Sequence, residues 1–194
     1  MKKLCNLFIM LMALAGNMYA QKAEPWNDPL VSNINRNESV SDFFGYESKE
    51  LSDKNDKSLS TRYLSIEGDW KFDWVPNANE RPLDFFSPTL DDSKWGKMPV
   101  PGCWELNGYG FPVYTNIKYE WENEWKSNPP YVQDLNNYVG SYRRKFVIPA
   151  SWNGDNIILH IGEFGSNVSL YVNGKFVGYA EDNKVAAEFD ITKY

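Results

Sequence analysis

The dipeptide Asn173-Gly174 is the feature that most restricts how this chain can fold. It lies between two runs, VSLYV and KFVGYA, in which apolar residues alternate with others. A two-residue hairpin turn of this kind needs a positive φ at both positions, and Asn-Gly accepts that conformation more readily than other pairs. Residues 168–180 therefore predict a β-hairpin, and the fold has to be built around paired antiparallel strands.

Several further segments have the alternation or the length of strands. The run LSIEGDWKFDWV places Trp70, Phe72 and Trp74 on one side after a break at Gly68, which indicates a half-buried strand. The segments GSYRRKFVIP, DNIILHIG and AAEFDI predict three more strands, the second of them buried in a sandwich. NERPLDFFSPTLDDSKW and VPGCWELNGYGFPVYTN are rich in turn formers and predict loops. Because no later stretch keeps a helical period over three turns, the sequence predicts an all-β sandwich.

The first 62 residues differ from this strand pattern. Residues 1–20 combine a basic start with an apolar run too short to span a bilayer, which predicts a signal peptide cleaved after Ala20 and an exported protein. No later run is long enough to predict a membrane span. Residues 21–62 have little hydrophobic periodicity and a charged, serine-rich stretch, ESKELSDKNDKSLSTR. We interpret them as an extended N-terminal arm on a core formed by residues 63–194.

Charge and the scarcity of cysteine and histidine exclude several classes of function. A formal net charge of −6 gives no basic surface for nucleic acid. Cys103 is the only cysteine after residue 20, so a disulfide framework is excluded, and we expect its side chain to be buried. His160, the only histidine, lies in IILHIG and is interpreted as a hydrogen-bonded strand residue rather than a catalytic one. Eight Trp and twelve Tyr suit either a β-rich core or a surface that stacks on sugars.

Six segments, taken in order, resemble glycoside hydrolase family 2 and especially its large β-galactosidases. They are GDWKFDWVPNANERP, LDDSKW, VPGCWELNGYGFPVYTN, NPPYV, NNYVGSYRRKFVIP and LYVNGKFVGYAEDNKVAAEFDIT. The stretch WNDPLVSNINR in the arm matches as well. The resemblance implies that residues 63–194 are the N-terminal sugar-binding domain, a jelly-roll β-sandwich of the galactose-binding-like type. Since that domain continues past the position of Tyr194 in the family, the resemblance also implies a sandwich that is truncated at its C-terminus.

The resemblance implies a functional role for two residues. Asn116 in VYTN matches an asparagine that reaches the sugar pocket, and Asp182 in GYAEDNK matches an aspartate that contacts galactose and helps to hold a sodium ion. An amide can donate to and accept from sugar hydroxyls, and a carboxylate accepts hydroxyl bonds or ligates a hard cation. From the residues alone, an ordinary loop cap for Asn116 and a turn residue for Asp182 are favoured over a functional role. Asn183, Lys184 and Ala186 replace the family's usual Ser, Arg and Pro, which weakens the expectation of galactose.

The resemblance implies that the chemistry lies outside this chain. In the family, two glutamates on a downstream barrel, which also binds magnesium, carry out a retaining double displacement. Glu120, Glu122 and Glu124 are more simply a charged loop, so no catalytic residue is assigned here. We predict an inactive fragment of an exported β-galactosidase that hydrolyses terminal β-D-galactosides and contacts its own barrel domain. Two alternatives stay open: a stand-alone carbohydrate-binding module, and an interface domain of a homo-oligomer in which Trp95 and Trp104 are packing groups.

Overall fold

The computed structural model describes residues 24–112, 131–182 and 184–194. In these residues strands and irregular loops predominate, with one six-residue α-helix, α1, at Lys49–Lys54. The prediction of an all-β sandwich is confirmed. The strands are β1 (Asn33–Ile34), β2 (Gly68–Val75), β3 (Gly96–Val100), β4 (Val139–Arg143), β5 (Ile158–Ile161), β6 (Asn167–Val172), β7 (Lys175–Glu181) and β8 (Ala187–Asp190). No helix in this described part is long and apolar enough to cross a membrane.

The strands pair in three antiparallel sheets within the described residues. In the first sheet β7 lies between β1 and β6, in the second β2 lies between β3 and β4, and β5 pairs with β8 in the third. The main core lies between the first and third sheets. Val177 and Ala180 of β7 pack there with Ala187 and Phe189 of β8, all at most 2% exposed. The segment that joins β7 to β8 therefore lies at one end of this core.

Phe72 of β2 is the centre of a second packed region. It is 1% exposed, and its ring lies 6.0, 4.7 and 4.6 Å from the rings of Trp104, Tyr109 and Tyr142. The indole N–H of Trp104 donates a hydrogen bond to the hydroxyl of Tyr142. A Cβ atom at Gly140 would lie 2.6 Å from Trp104 and 2.7 Å from Phe72, so β4 needs a glycine at this close approach. Trp104 is thus a packing group within this domain.

A half-buried arginine on β4 ties the second sheet to the loop that precedes β3. Arg143 Nε donates to Asp92 Oδ2 at 3.0 Å, and its Nη1 donates to the carbonyls of Phe85 and Ser87. The guanidinium also lies 6.0 Å from the ring centroid of Trp95. One side chain therefore fixes several points of a loop that has no regular structure of its own.

The predicted hairpin is confirmed. Asn173 and Gly174 have φ values of 50° and 81°, as a turn with two left-handed residues requires. The hairpin also contacts the loop that Arg143 holds, because the rings of Phe86 and Tyr171 stack at 4.6 Å with an interplanar angle of 8°. This contact joins the first sheet to the second.

The N-terminal arm contains regular structure that its composition did not predict. Ser48 Oγ accepts a hydrogen bond from the backbone N–H of Leu51 at the start of α1, and Asn55 ends the helix in the left-handed conformation. These are the usual capping devices of a short helix. Further along the chain, β1 adds the arm to the edge of the first sheet.

Other local expectations were wrong in detail. The strand predicted from Leu64 begins only at Gly68, and the strand predicted to reach Ile148 ends at Arg143. β5, expected to be buried, alternates exposed and half-buried side chains, with Ile158 44% exposed. β3 lies where no strand was predicted.

Candidate functional site

Asp182 lies in the connection between β7 and β8, as the sequence predicted. β7 ends at Glu181, β8 begins at Ala187, and the Asp182 side chain is exposed. Lys184, two residues further on, has a φ of 69°, a left-handed conformation that reverses the chain direction locally. We call residues 182–186 the Asp182 turn.

One side of the Asp182 turn is held by the loop between β5 and β6. The backbone N–H of Asp182 donates to the carbonyl of Ser166 at 3.1 Å, and that of Lys184 donates to the carbonyl of Phe164 at 3.4 Å. Ser166 itself has a φ of 63°. Two backbone hydrogen bonds thus fix the main chain beside the carboxylate without using the carboxylate itself.

The other side of the Asp182 turn is held by the N-terminal arm. The backbone N–H of Glu181 donates to the carbonyl of Ser32 at 2.9 Å. At the far end of the turn, Arg36 Nη2 donates to the carbonyl of Ala186 at 2.9 Å. The arm therefore brackets the turn immediately before Asp182 and immediately before β8.

A buried tyrosine lies beneath the start of the turn. Tyr179 is fully buried, and its hydroxyl donates to Glu181 Oε1 at 2.6 Å. Burial, the hydrogen bond and the negative charge of Glu181 raise the pKa of Tyr179 well above its usual range. The phenol therefore stays protonated and keeps donating, which fixes the carboxylate next to Asp182 in the sequence.

The chemistry of the Asp182 turn suits a polyhydroxylated ligand. An exposed carboxylate on a main chain held by its neighbours accepts hydroxyl hydrogen bonds with little reordering, and such bonds are stronger than those between neutral groups. Among the described residues, no group of three or more His, Cys, Asp and Glu side chains could hold a metal ion.

Comparison with known proteins assigns the domain to a family. The sequence profile described as the sugar binding domain of the glycosyl hydrolases family 2 matches residues 63–194. The chain belongs to glycosyl hydrolases family 2. The match covers the three sheets except β1, and it includes the Asp182 turn.

Two relatives show the extent of the family 2 likeness, and one solved structure is also similar to this chain. The β-galactosidase of Priestia megaterium is 36% identical over 168 residues, which make up 87% of this chain and 16% of that protein. The β-galactosidase of Halalkalibacterium halodurans is 40% identical over 163 residues, which make up 83% of this chain and 16% of that protein. A crystal structure of the Bacteroides uniformis β-glucuronidase is 26% identical, with a TM-score of 0.45 over 66% of this chain and 12% of that chain. The matching part of this chain thus spans 16% of the length of each of these two β-galactosidases.

The other candidates taken from the family 2 resemblance lie outside the described residues. Asn116 falls in the range 113–130, as do the three glutamates of YEWENEW, and Asn183 is also outside. Of the positions that depart from the family pattern, Lys184 forms the left-handed part of the Asp182 turn, and Ala186 accepts the bond from Arg36. Both departures therefore lie in the main chain that positions Asp182.

Cys103 and His160 do not contribute to the Asp182 turn. Cys103 was expected to be buried, and this is wrong: it is exposed, and its Sγ donates to Glu105 Oε2 at 2.9 Å. That hydrogen bond, some burial and the charge of Glu105 raise the pKa of the thiol, so the thiol is a poor nucleophile. His160 has the expected partner, since its Nδ1 lies 3.0 Å from Oε1 of Glu188 on the neighbouring strand.

Sequence reasoning did not find the part that the arm plays at this site. Ser32 acts through its backbone carbonyl, which no side-chain pattern reveals, and Arg36 lies in a segment without periodicity. The pairing of Tyr179 with Glu181 did leave a signal, because residues two apart on a strand share a face.

A cleft lies near the other end of β7 and β8 from Asp182. It has a volume of about 370 Å³. The lining residues are Asn35, Arg36, Asn37, Val177, Asp190, Thr192, Lys193 and Tyr194. Asp182 is not among them, but Arg36 is, and Arg36 also donates to Ala186 in the Asp182 turn.

Proposed function

We propose that this chain is the N-terminal sugar-binding domain of an exported β-galactosidase that hydrolyses terminal β-D-galactosides. Membership of family 2 and the 36% and 40% identity to two β-galactosidases support this activity for the whole protein. The relatives are much longer than this chain, which supports a downstream catalytic domain as its partner. In this proposal both catalytic carboxylates lie in that domain, and the present chain contributes contacts to the sugar.

The observation that supports a sugar-contacting role is the exposed Asp182 on a turn braced from two sides. The carbonyls of Ser166 and Ser32 accept from backbone N–H groups here, and Arg36 donates to the carbonyl of Ala186, which fixes the backbone around Asp182. A carboxylate on a fixed backbone has less conformational entropy to lose when it accepts sugar hydroxyls. Asn116 would add an amide contact, a role that depends on the family resemblance.

The proposal includes a limited part in cation binding. Asp182 would supply one oxygen ligand to a sodium ion, whose remaining ligands would come from elsewhere in the protein and from the sugar. Oxygen donors of this kind suit hard cations. Export depends on the signal-peptide pattern of residues 1–20, and it would make extracellular or periplasmic galactosides the substrate source.

Kinetics of the whole protein that carries this chain test the proposal. The comparison is between wild type, Asp182→Ala and Asp182→Asn on aryl β-galactoside, β-glucoside and β-glucuronide substrates. We expect galactoside hydrolysis by the wild type and a loss of roughly tenfold or more in kcat/KM for Asp182→Ala, since a hydrogen bond to a charged group is lost. Asp182→Asn keeps an acceptor oxygen and should lose less.

Glu163→Ala is the matched control, because it removes an exposed carboxylate from the neighbouring loop. Its kcat/KM should equal that of the wild type. Equal losses in the control and in Asp182→Ala would contradict a specific role for Asp182. If the wild type binds galactose but hydrolyses none of the three substrates, the chain belongs to a carbohydrate-binding protein without this activity.

A further inference from the structure

We propose that Arg36 is a positioning residue, through which the N-terminal arm holds the Asp182 turn in the conformation that contacts the sugar. The inference rests on the proposed function in one respect, that Asp182 contacts a galactoside. The coupling between the arm and the turn is a separate statement about this fold, and it can be tested without any ligand.

The side chain of Arg36 reaches from the arm to the turn. Arg36 Nη2 donates to the carbonyl of Ala186 at 2.9 Å and to Ser39 Oγ at 2.7 Å. Its Nε is buried and has no hydrogen-bond partner among the described residues, so the protein covers the base of the guanidinium. A charged donor that is partly removed from water makes a stronger bond to a carbonyl than an exposed donor does.

The arm is fixed on both sides of Arg36, which makes it a firm support. Before Arg36, Ile34 pairs with Tyr179 of β7, and Asn35 Nδ2 donates to the carbonyl of Val177 at 2.7 Å. After it, the backbone N–H of Asn37 donates to the carbonyl of Glu188 on β8 at 2.9 Å. The segment that carries Arg36 is therefore bonded to both β7 and β8, the two strands that the turn connects.

The remaining supports of the turn do not replace this bond. The loop between β5 and β6 holds the N–H groups of Asp182 and Lys184, and Ser32 holds the N–H of Glu181. Arg36 holds the carbonyl of Ala186, the last residue of the turn before β8. Without it, we expect the second half of the turn to move more, and the backbone on which Asp182 lies to be less well ordered.

Amide hydrogen exchange tests the coupling directly in the whole protein. The reporters are the N–H groups of Asp182 and Lys184, both of which are hydrogen-bonded. In Arg36→Ala we expect them to exchange faster by roughly tenfold or more, the size expected when a hydrogen bond to a charged group is lost. Arg36→Lys keeps the positive charge but loses the planar set of guanidinium donors. Its exchange rate should therefore lie between those of the wild type and Arg36→Ala.

Ser39→Ala is the matched control on the same nitrogen atom. It removes the other partner of Arg36 Nη2 and leaves the bond to Ala186 in place. Exchange in the turn should then stay at the wild-type rate. An unchanged rate in Arg36→Ala, or equal increases in Arg36→Ala and Ser39→Ala, would overturn the inference.

A double-mutant cycle with Asp182 tests whether Arg36 affects binding of the galactoside through Asp182. We expect Arg36→Ala to raise KM for an aryl β-galactoside roughly fivefold with little change in kcat, and to have almost no further effect when Asp182 is already Ala. Full additivity of the two substitutions would overturn a role through Asp182. If Asp182→Ala has no effect on its own, the proposed function of Asp182 fails, whereas the exchange result still decides whether the arm orders the turn.

Discussion

Glu47 and Asp182 are two exposed carboxylates with different uses. Glu47 closes a loop within the arm: Oε1 accepts from the N–H and Oγ1 of Thr61, and Oε2 accepts from Ser60 Oγ at 2.9 Å. The backbone N–H of Asp182 donates to the carbonyl of Ser166, and its side chain is exposed. Glu47 stabilises structure, whereas Asp182 is the carboxylate to which we assign a contact with the sugar.

The Glu47 hydrogen bonds should make the arm sensitive to acid. Bonds from Thr61 and Ser60 lower the pKa of Glu47 from 4.5 to about 2. Because the folded-state pKa is depressed, the stabilisation is fully present above about pH 4.5 and is lost as the pH falls towards 2. We expect Glu47→Gln to lower the Tm at pH 6, by an amount that shrinks steadily between pH 4.5 and 2.

Thermal denaturation at a series of pH values measures this difference. Glu38→Gln removes an exposed carboxylate from the same arm and serves as the control. A Glu47→Gln difference that stays constant down to pH 2 would show that the carboxylate charge does not stabilise the loop.

Elements that are specified by a side-chain pattern could be predicted from the sequence. Elements that are specified by backbone contacts could not. The Asn173-Gly174 turn has a conformational requirement that few residue pairs meet, so the hairpin could be predicted. β1 is two residues long and is defined by its pairing with β7. β3 contains a glycine and a proline and buries only Met98, so its sequence lacks the usual alternation of a strand.

Gly178 allows the arm and β8 to approach β7 from both sides. A Cβ atom at this position would lie 2.4 Å from the carbonyl oxygen of Ile34 and 2.7 Å from the ring of Phe189. We expect Gly178→Ala to lower the free energy of unfolding by about 1–3 kcal/mol, because packed backbone has to move. Urea denaturation measures this loss. Gly45→Ala, which meets nothing within 4 Å, should be close to neutral.

Arg143 should be needed as an arginine and not only as a positive charge. Its donors reach Asp92, Phe85 and Ser87 in different directions, which one ammonium group cannot reproduce. We expect Arg143→Lys to lower the free energy of unfolding by about 2 kcal/mol. Arg144 is exposed, and its Nη1 donates to a single carbonyl. We expect Arg144→Lys to lower the free energy of unfolding by less than about 0.5 kcal/mol. Equal effects of the two substitutions would contradict this assignment.

At the scale of the whole molecule, the arm, the loop between β5 and β6 and two strands meet around one turn. The sequence predicted the turn, but the residue role of Asp182 came only from the family resemblance, because an exposed aspartate between strands has no distinctive pattern. The contribution of the arm could not be predicted, since the carbonyl of Ser32 accepts from the N–H of Glu181, a backbone contact between segments far apart in the chain.

The 194-residue chain alone should not hydrolyse galactosides. In our proposal the reacting carboxylates belong to a downstream domain, and Asp182 only contacts the sugar. We expect no turnover of an aryl β-galactoside by purified chain, even where galactose binding is detectable by calorimetry. Turnover that survives purification from a host without β-galactosidase would place catalytic groups in this chain.

A crystal structure of the whole protein with galactose bound is the decisive measurement. If this domain contributes to the sugar site, an oxygen of Asp182 lies about 2.5–3.0 Å from a galactose hydroxyl. The Asp182 turn would keep the bond that its N–H donates to Ser166 and the bond that it accepts from Arg36. Galactose bound elsewhere, with Asp182 facing solvent, would contradict the proposed role of this domain.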